Sequence, residues 1–170
     1  MPILNMSRAP HPKAAGTLVG IDEPMIRPLV HTFYARVRVD PLLGPIFNRA
    51  IHDWDVHLEK LCAFWSSVTL MTGRYKGTPM KVHANLVQIT PEHFDRWLAL
   101  FRSTATEVCP RRAAPIFIDR ANRIAASLQM RMALYGRDPT AGKDKGTARS
   151  IPGSALAETG TSNVARCARG

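Results

Sequence analysis

Apolar residues recur every three or four positions in four separate stretches of the chain, and nowhere do they alternate convincingly with period two. In the first stretch Met25, Leu29, Val30, Phe33, Tyr34 and Val37 follow Asp22, Glu23 and Pro24. Those three supply a cap, an acid and a proline for the first turn of a helix. Pro28 predicts a kink or a division. Asp40-Pro41 breaks the pattern, and LLGPIFN reads as a short turn-like piece. Asp53 is placed to cap a second helix that Gly73 ends. At about 100° per residue, Trp54, His57, Leu61, Phe64, Trp65 and Val68 share one of its faces, with Asp55, Glu59 and Ser66 opposite. GRYKGTP is a loop, and MKVHANL has the length of a short helix. Thr90-Pro91-Glu92 opens the third long helix, whose stripe is Phe94, Trp97, Leu98, Phe101, Ala105 and Val108 and which Cys109-Pro110 ends. The fourth runs from about Ala114 to Tyr135 on Phe117, Ala121, Ile124, Ala125, Leu128 and Met132, with Gly136 as its stop. The fold class is all-α, either an ordinary bundle or a more compact packing with steeper crossings.

The two ends depart from this pattern. Residues 1–18 carry three prolines, several small residues and no periodicity. Residues 138–170 are rich in Gly, Ala, Ser and Thr, with almost no large apolar side chains to offset ordering entropy. Both are expected to be disordered extensions around a folded domain of residues 19–137. The net charge of +10 is spread along the chain, with +2 in residues 1–19, +3 in residues 137–170 and the rest between. No basic cluster or reading motif accompanies it, so a scattered, solvated surface charge is expected rather than nucleic-acid binding. No apolar run is long enough to cross a membrane, and the first residues lack the core of a signal peptide. Three cysteines at no metal-ligand spacing fit reduced thiols in a cytoplasmic protein. Phosphate-binding glycine loops, C-x-x-C and H-E-x-x-H are absent.

Chemistry is left to histidine. His57 lies mid-helix on the apolar face, with Leu61 and Trp65 at i+4 and i+8. Alone it reads as a satisfied core histidine, but this face could also line a flat hydrophobic ligand. His83 follows a loop, 26 residues further on. Two imidazoles on a long and a short helical piece suit a haem, whose iron takes one imidazole while apolar and aromatic side chains cover the macrocycle.

The stretches FYARVRVDPLLGPIFNRAI, DWDVHLEKLCAFWSSV, TGRYKGTPMKVH and HFDRWLALF, in that order, resemble the group III truncated haemoglobins. The resemblance runs from about Ile21 to Tyr135. It implies a truncated globin fold, a compact helical sandwich around haem b with a reduced proximal helix, in keeping with the shortness of MKVHANL. Carried over by motif, His83 in PMKVH is the proximal iron ligand. Tyr34 in FYARVR, His57 in WDVHL and Trp97 in FDRWL are the distal residues. Phe47 in GPIFN packs on the haem, and Trp65 in FWSSV is a pocket tryptophan beside Leu61. Arg74, Tyr75 and Lys81 are candidates for the haem propionates, or else ordinary loop residues. His93 stands where an apolar residue is expected, and the C-terminal tail lies outside the family pattern.

Tyr34 and Trp97 are hydrogen-bond donors that would stabilise negative charge on a gas ligand; the alternative for Trp97 is plain core packing. His57 either donates as well or swings outward as a gate. The function implied is binding of dioxygen, CO and NO at a five-coordinate iron, by a monomer. The alternative is a haem enzyme, performing NO dioxygenation or peroxidase-type chemistry with a separate reductase, since no flavin or NAD motif is present. A haem-free helical interaction module is the third reading.

Overall fold

The computed structural model describes residues 9–77 and 89–135. The chain divides into two compact units, Met1–Asp138 and Pro139–Gly170, and the second lies outside the described residues. So do His83 and Lys81. Six helices are described: α1 (Ala15–Leu18), α2 (Glu23–Val39), α3 (Gly44–Ala50), α4 (Trp54–Leu70), α5 (Pro91–Val108) and α6 (Ala114–Tyr135). The fold is all-α, and no described residue lies in a strand. None of these helices is long and apolar enough to cross a membrane.

Helix α2 is the central element, packed on α4, α5 and α3, while α6 packs on α5 and α4. From Leu29 through Val30, Phe33, Tyr34 and Val37 its stripe is buried as the spacing predicts, but at its start Ile26 is the buried residue and Met25 is half buried. The Asp22 carboxylate accepts the Met25 N–H at 2.9 Å and fixes where the helix starts. Pro28 does not divide it. A proline here forfeits only the bond to Pro24, which stands in the first turn beside solvent. LLGPIFN is not merely a turn: α3 begins at Gly44, with Pro45 in its first turn. A Cβ at Gly44 would lie 2.7 Å from the Arg38 carbonyl oxygen, so glycine permits the close approach of α3 to the end of α2.

Asp40 makes that corner. Its side chain is 3% exposed, and Oδ1 accepts the backbone N–H of Leu42 and of Leu43, each at 3.0 Å. Oδ2 receives Arg96 Nε at 2.8 Å and Nη2 at 2.7 Å, tying α5 to the α2–α3 turn. Burial alone would raise the carboxyl pKa, but Arg96 and the two N–H groups together hold it below the ordinary value. A depressed carboxylate contributes stability above its unfolded pKa of about 3.9, and that contribution is lost as pH falls through the folded value. Asp40→Asn should therefore destabilise the protein at pH 7 by about 1.5–3 kcal/mol, mostly through its hydrogen bonds because solvent screens the half-exposed Arg96. In urea titrations the loss should shrink below pH 4; an equal loss at pH 7 and pH 3 would show that the ionised form is not what stabilises the corner.

Part of the expected N-terminal extension is structured. Residues 15–18 form α1, Ala14 is buried, and the His11 N–H donates to the Leu70 carbonyl at 2.8 Å. Gly16 is the point of contact: a Cβ there would sit 2.6 Å from the Thr69 carbonyl oxygen. Small residues that look like linker in sequence are here the condition for backbone to touch backbone.

Helix α4 starts as expected, with the Asp53 side chain accepting the Val56 N–H at 3.0 Å, but stops at Leu70 rather than at Gly73. Met71 takes the left-handed conformation (φ 56°) that ends it, and Gly73 takes it again two residues on (φ 62°). Ser66, expected on the solvent side, is fully buried. Its hydroxyl donates to Glu23 at 2.6 Å and shares a 2.7 Å bond with the buried Thr72 hydroxyl. Glu23 also accepts Arg74 Nη1 at 3.1 Å, so the start of α2, the end of α4 and the following loop meet in one polar network.

His93, where the family pattern favours an apolar side chain, caps α5. Its Nδ1 accepts the Thr90 backbone N–H at 3.1 Å and lies 2.7 Å from the Thr90 hydroxyl. An imidazole thus takes the place usually held by Glu or Gln in a capping box. At the other end, burial pushes the Cys109 thiol up to about 11, so it is no nucleophile at neutral pH.

Candidate functional site

Two adjacent stripes run along α4. Leu58, Trp65 and Thr69 are buried in the core. The neighbouring stripe, His57, Leu61, Phe64 and Val68, is only half buried. That is the face singled out by periodicity, except that Trp65 belongs to the core side, 2% exposed. Trp65 stacks on Phe101 at 4.9 Å and 15°, and Phe101 stacks on Trp97 at 5.4 Å and 13°. The three rings form a continuous column from α4 to α5, held by Phe33 and Phe117 meeting it edge-on.

The column ends at Tyr34. This side chain is 5% exposed and edge-on to Phe33 at 4.8 Å. Its outer neighbours are Phe47 at 6.1 Å, Trp54 at 6.2 Å and His57 at 6.2 Å. All three are half buried, as is Trp97. Burial pushes the Tyr34 phenol far above its ordinary value, and a hydrogen bond from the Trp97 indole offsets this only in part. An indole N–H can only donate, so toward Trp97 the phenol oxygen is the acceptor. The sequence-derived residues Tyr34, Phe47, His57 and Trp97 thus converge from four helices, with Leu61 next along the stripe. Trp54 joins them, in contact with both His57 (5.9 Å, 86°) and Tyr34. It was visible in sequence only as one apolar residue of the α4 face, since nothing local says that the first residue of a helix will cover a buried tyrosine.

At the far end of the stripe Tyr75 meets Phe64 edge-on at 5.4 Å, and its N–H donates to Ser67 Oγ at 2.8 Å. Arg74 is paired with Glu23 through Nη1, while its Nε is buried without a hydrogen-bond partner among the described residues. A second apolar cluster, Phe94, Ala125 and Leu128, joins the main core through the half-buried Leu98 and Ile124. A haem needs an apolar face for its macrocycle, donors for a ligand on its iron and donors for its carboxylates. The stripe from Leu61 to Val68, the Tyr34 hydroxyl with Trp97, and the unspent Arg74 Nε fit those needs in turn. Among the described residues no group of three or more His, Cys, Asp or Glu is placed to hold a bare metal ion.

Comparison with known proteins agrees with this geometry. The model of the family described as bacterial-like globin matches residues 17–132. Over 120 residues the chain is 36% identical to the group 3 truncated hemoglobin of Campylobacter jejuni, covering 68% of this chain and 94% of that protein. The crystal structure of group III truncated hemoglobin from Campylobacter jejuni matches with a TM-score of 0.64 and 35% identity, over 69% of this chain and 96% of that one. Hemoglobin from the thermophilic phototrophic bacterium Chloroflexus aurantiacus shares the fold, with a TM-score of 0.56 and 24% identity over 68% and 96% of the two chains. Matched along nearly the whole of its described helices, the chain belongs to the bacterial-like globin family, among the group III truncated haemoglobins, and with that family it is a haem-binding and gas-binding protein.

Proposed function

We propose that the chain binds dioxygen, and also CO and NO, at the five-coordinate iron of one haem b, with His83 as the protein ligand and Tyr34, Trp97 and His57 on the gas side. The observation that carries this reading is the buried Tyr34 side chain, ringed by the half-buried Phe47, Trp54 and His57. When bound, the haem supplies an iron that coordinates a diatomic gas and shifts electron density onto it. Tyr34 would offer its O–H to a gas held there, and the Trp97 indole N–H would hold the phenol in place or donate directly. His57, edge-on to Tyr34, closes the same space from α4. Phe47 and Leu61 exclude water from it, and Trp65 braces Trp97 through the ring column. Arg74 Nε, Tyr75 and Lys81 serve the propionates. The test is the absorption spectrum of purified protein in ferric, ferrous and ferrous–CO states. A Soret band with a five-coordinate ferrous form that shifts on CO addition is expected. A ferrous form that is six-coordinate before any gas is added would overturn the open gas site.

A further inference from the structure

Trp54 is a half-buried ring of the cluster around Tyr34, and an exposed cation lies against it. It is the first residue of α4, held there by the Asp53 cap, and it contacts both His57 and Tyr34 with its ring. The Arg38 guanidinium carbon lies over the same ring, 4.8 Å from its centroid, in cation–π range. Arg38 is exposed, yet its backbone is fixed: its carbonyl accepts Asn48 Nδ2 at 3.0 Å and lies under Gly44. A half-buried indole therefore touches both Tyr34 and His57 while an exposed cation from a different element lies over its ring.

We propose that Trp54 and Arg38 together form the cover that sets how fast small ligands reach the distal site, Trp54 as the plug and Arg38 as the clamp that keeps it seated. This rests on Tyr34 and His57 being distal residues. The proposal assigns neither Trp54 nor Arg38 a hydrogen bond to the ligand; their effect is on entry.

The test uses full-length haem-loaded protein and the bimolecular rate of CO association after flash photolysis. Arg38→Gln keeps the stem and removes the cation, and should speed association about two- to fivefold, the factor an exposed cation–π contact corresponds to. Trp54→Ala should speed it by about tenfold, with Trp54→Leu as the substitute should the alanine variant fail to fold. A second readout needs no gas: diethylpyrocarbonate should modify His57 faster in the Trp54 variant, by peptide mass spectrometry against the exposed His52 as reference. Tyr34→Phe is the control for the distal reading, through oxygen release. Accelerated release in Tyr34→Phe, with CO association and His57 modification unchanged in the Trp54 and Arg38 variants, would sink the cover while leaving the distal site standing. Unchanged release in Tyr34→Phe would remove the distal site and the cover with it.

Discussion

Haem-loaded His83→Ala is expected to release its haem faster than the parent by more than about 100-fold, beyond the 10- to 100-fold typical of losing a group that merely orients a metal ligand. Transfer to an excess of an apoglobin acceptor measures that rate directly. A small variant also leaves space for imidazole added to the buffer, which should restore the five-coordinate ferrous spectrum and slow the loss. Such rescue separates ligation from folding, because a chain that had failed to fold would gain nothing from imidazole. Circular dichroism should meanwhile show the helical content retained, since Phe33 and Trp65 pack on Phe101, and Phe117 on Trp65, across α2, α4, α5 and α6. Ordinary haem retention and an unchanged ferrous spectrum in His83→Ala would move the ligand elsewhere. His57 would then be the first residue to replace.

Oxygen release should be the other large effect. Tyr34→Phe removes a hydroxyl and keeps the ring with its edge contacts to Phe33 and His57. Loss of a hydrogen bond to a charged acceptor, about 1.5–3 kcal/mol, corresponds to roughly 10- to 150-fold faster release. Trp97→Phe also removes a donor, but it trims the end ring of the column, the one stacked on Phe101, and frees the Tyr34 oxygen from its indole partner. The two changes should therefore not be additive, and the double variant measures their coupling. Stopped-flow release from the parent, both single variants and the double variant gives all the rates needed. Four rates within about twofold of one another would show that neither side chain donates to the ligand.

What the sequence made legible was whatever depended on local pattern. The α2 stripe, the caps at Asp22 and Asp53 and the span of α6 all follow from residues within a few positions of one another. What it hid depended on partners far along the chain. Ser66 looks solvent-facing until Glu23 and Thr72 are brought to it. Asp40 looks like a helix breaker until Arg96, 56 residues on, reaches it. His93 looks misplaced because an imidazole is an unusual member of a capping box. The three residues assigned to the distal side, Tyr34, His57 and Trp97, take that role from family resemblance; periodicity could show only that each lay on an apolar face. Trp54 lay on such a face too, but its place over Tyr34 is decided by how α4 meets α2.

The brace between the chain's first residues and the end of α4 bears on where the domain can be trimmed. The family match starts at residue 17, inside α1, and composition put the boundary at 19. A chain cut at either point loses the His11 donor that satisfies the Leu70 carbonyl, along with the buried Ala14. The left-handed turn at Met71 would then stand next to an unpaired helix end. Trimming by homology would thus loosen the same helix that carries His57 and the apolar stripe, and poor haem uptake by such a fragment would be a fault of the cut rather than a property of the globin.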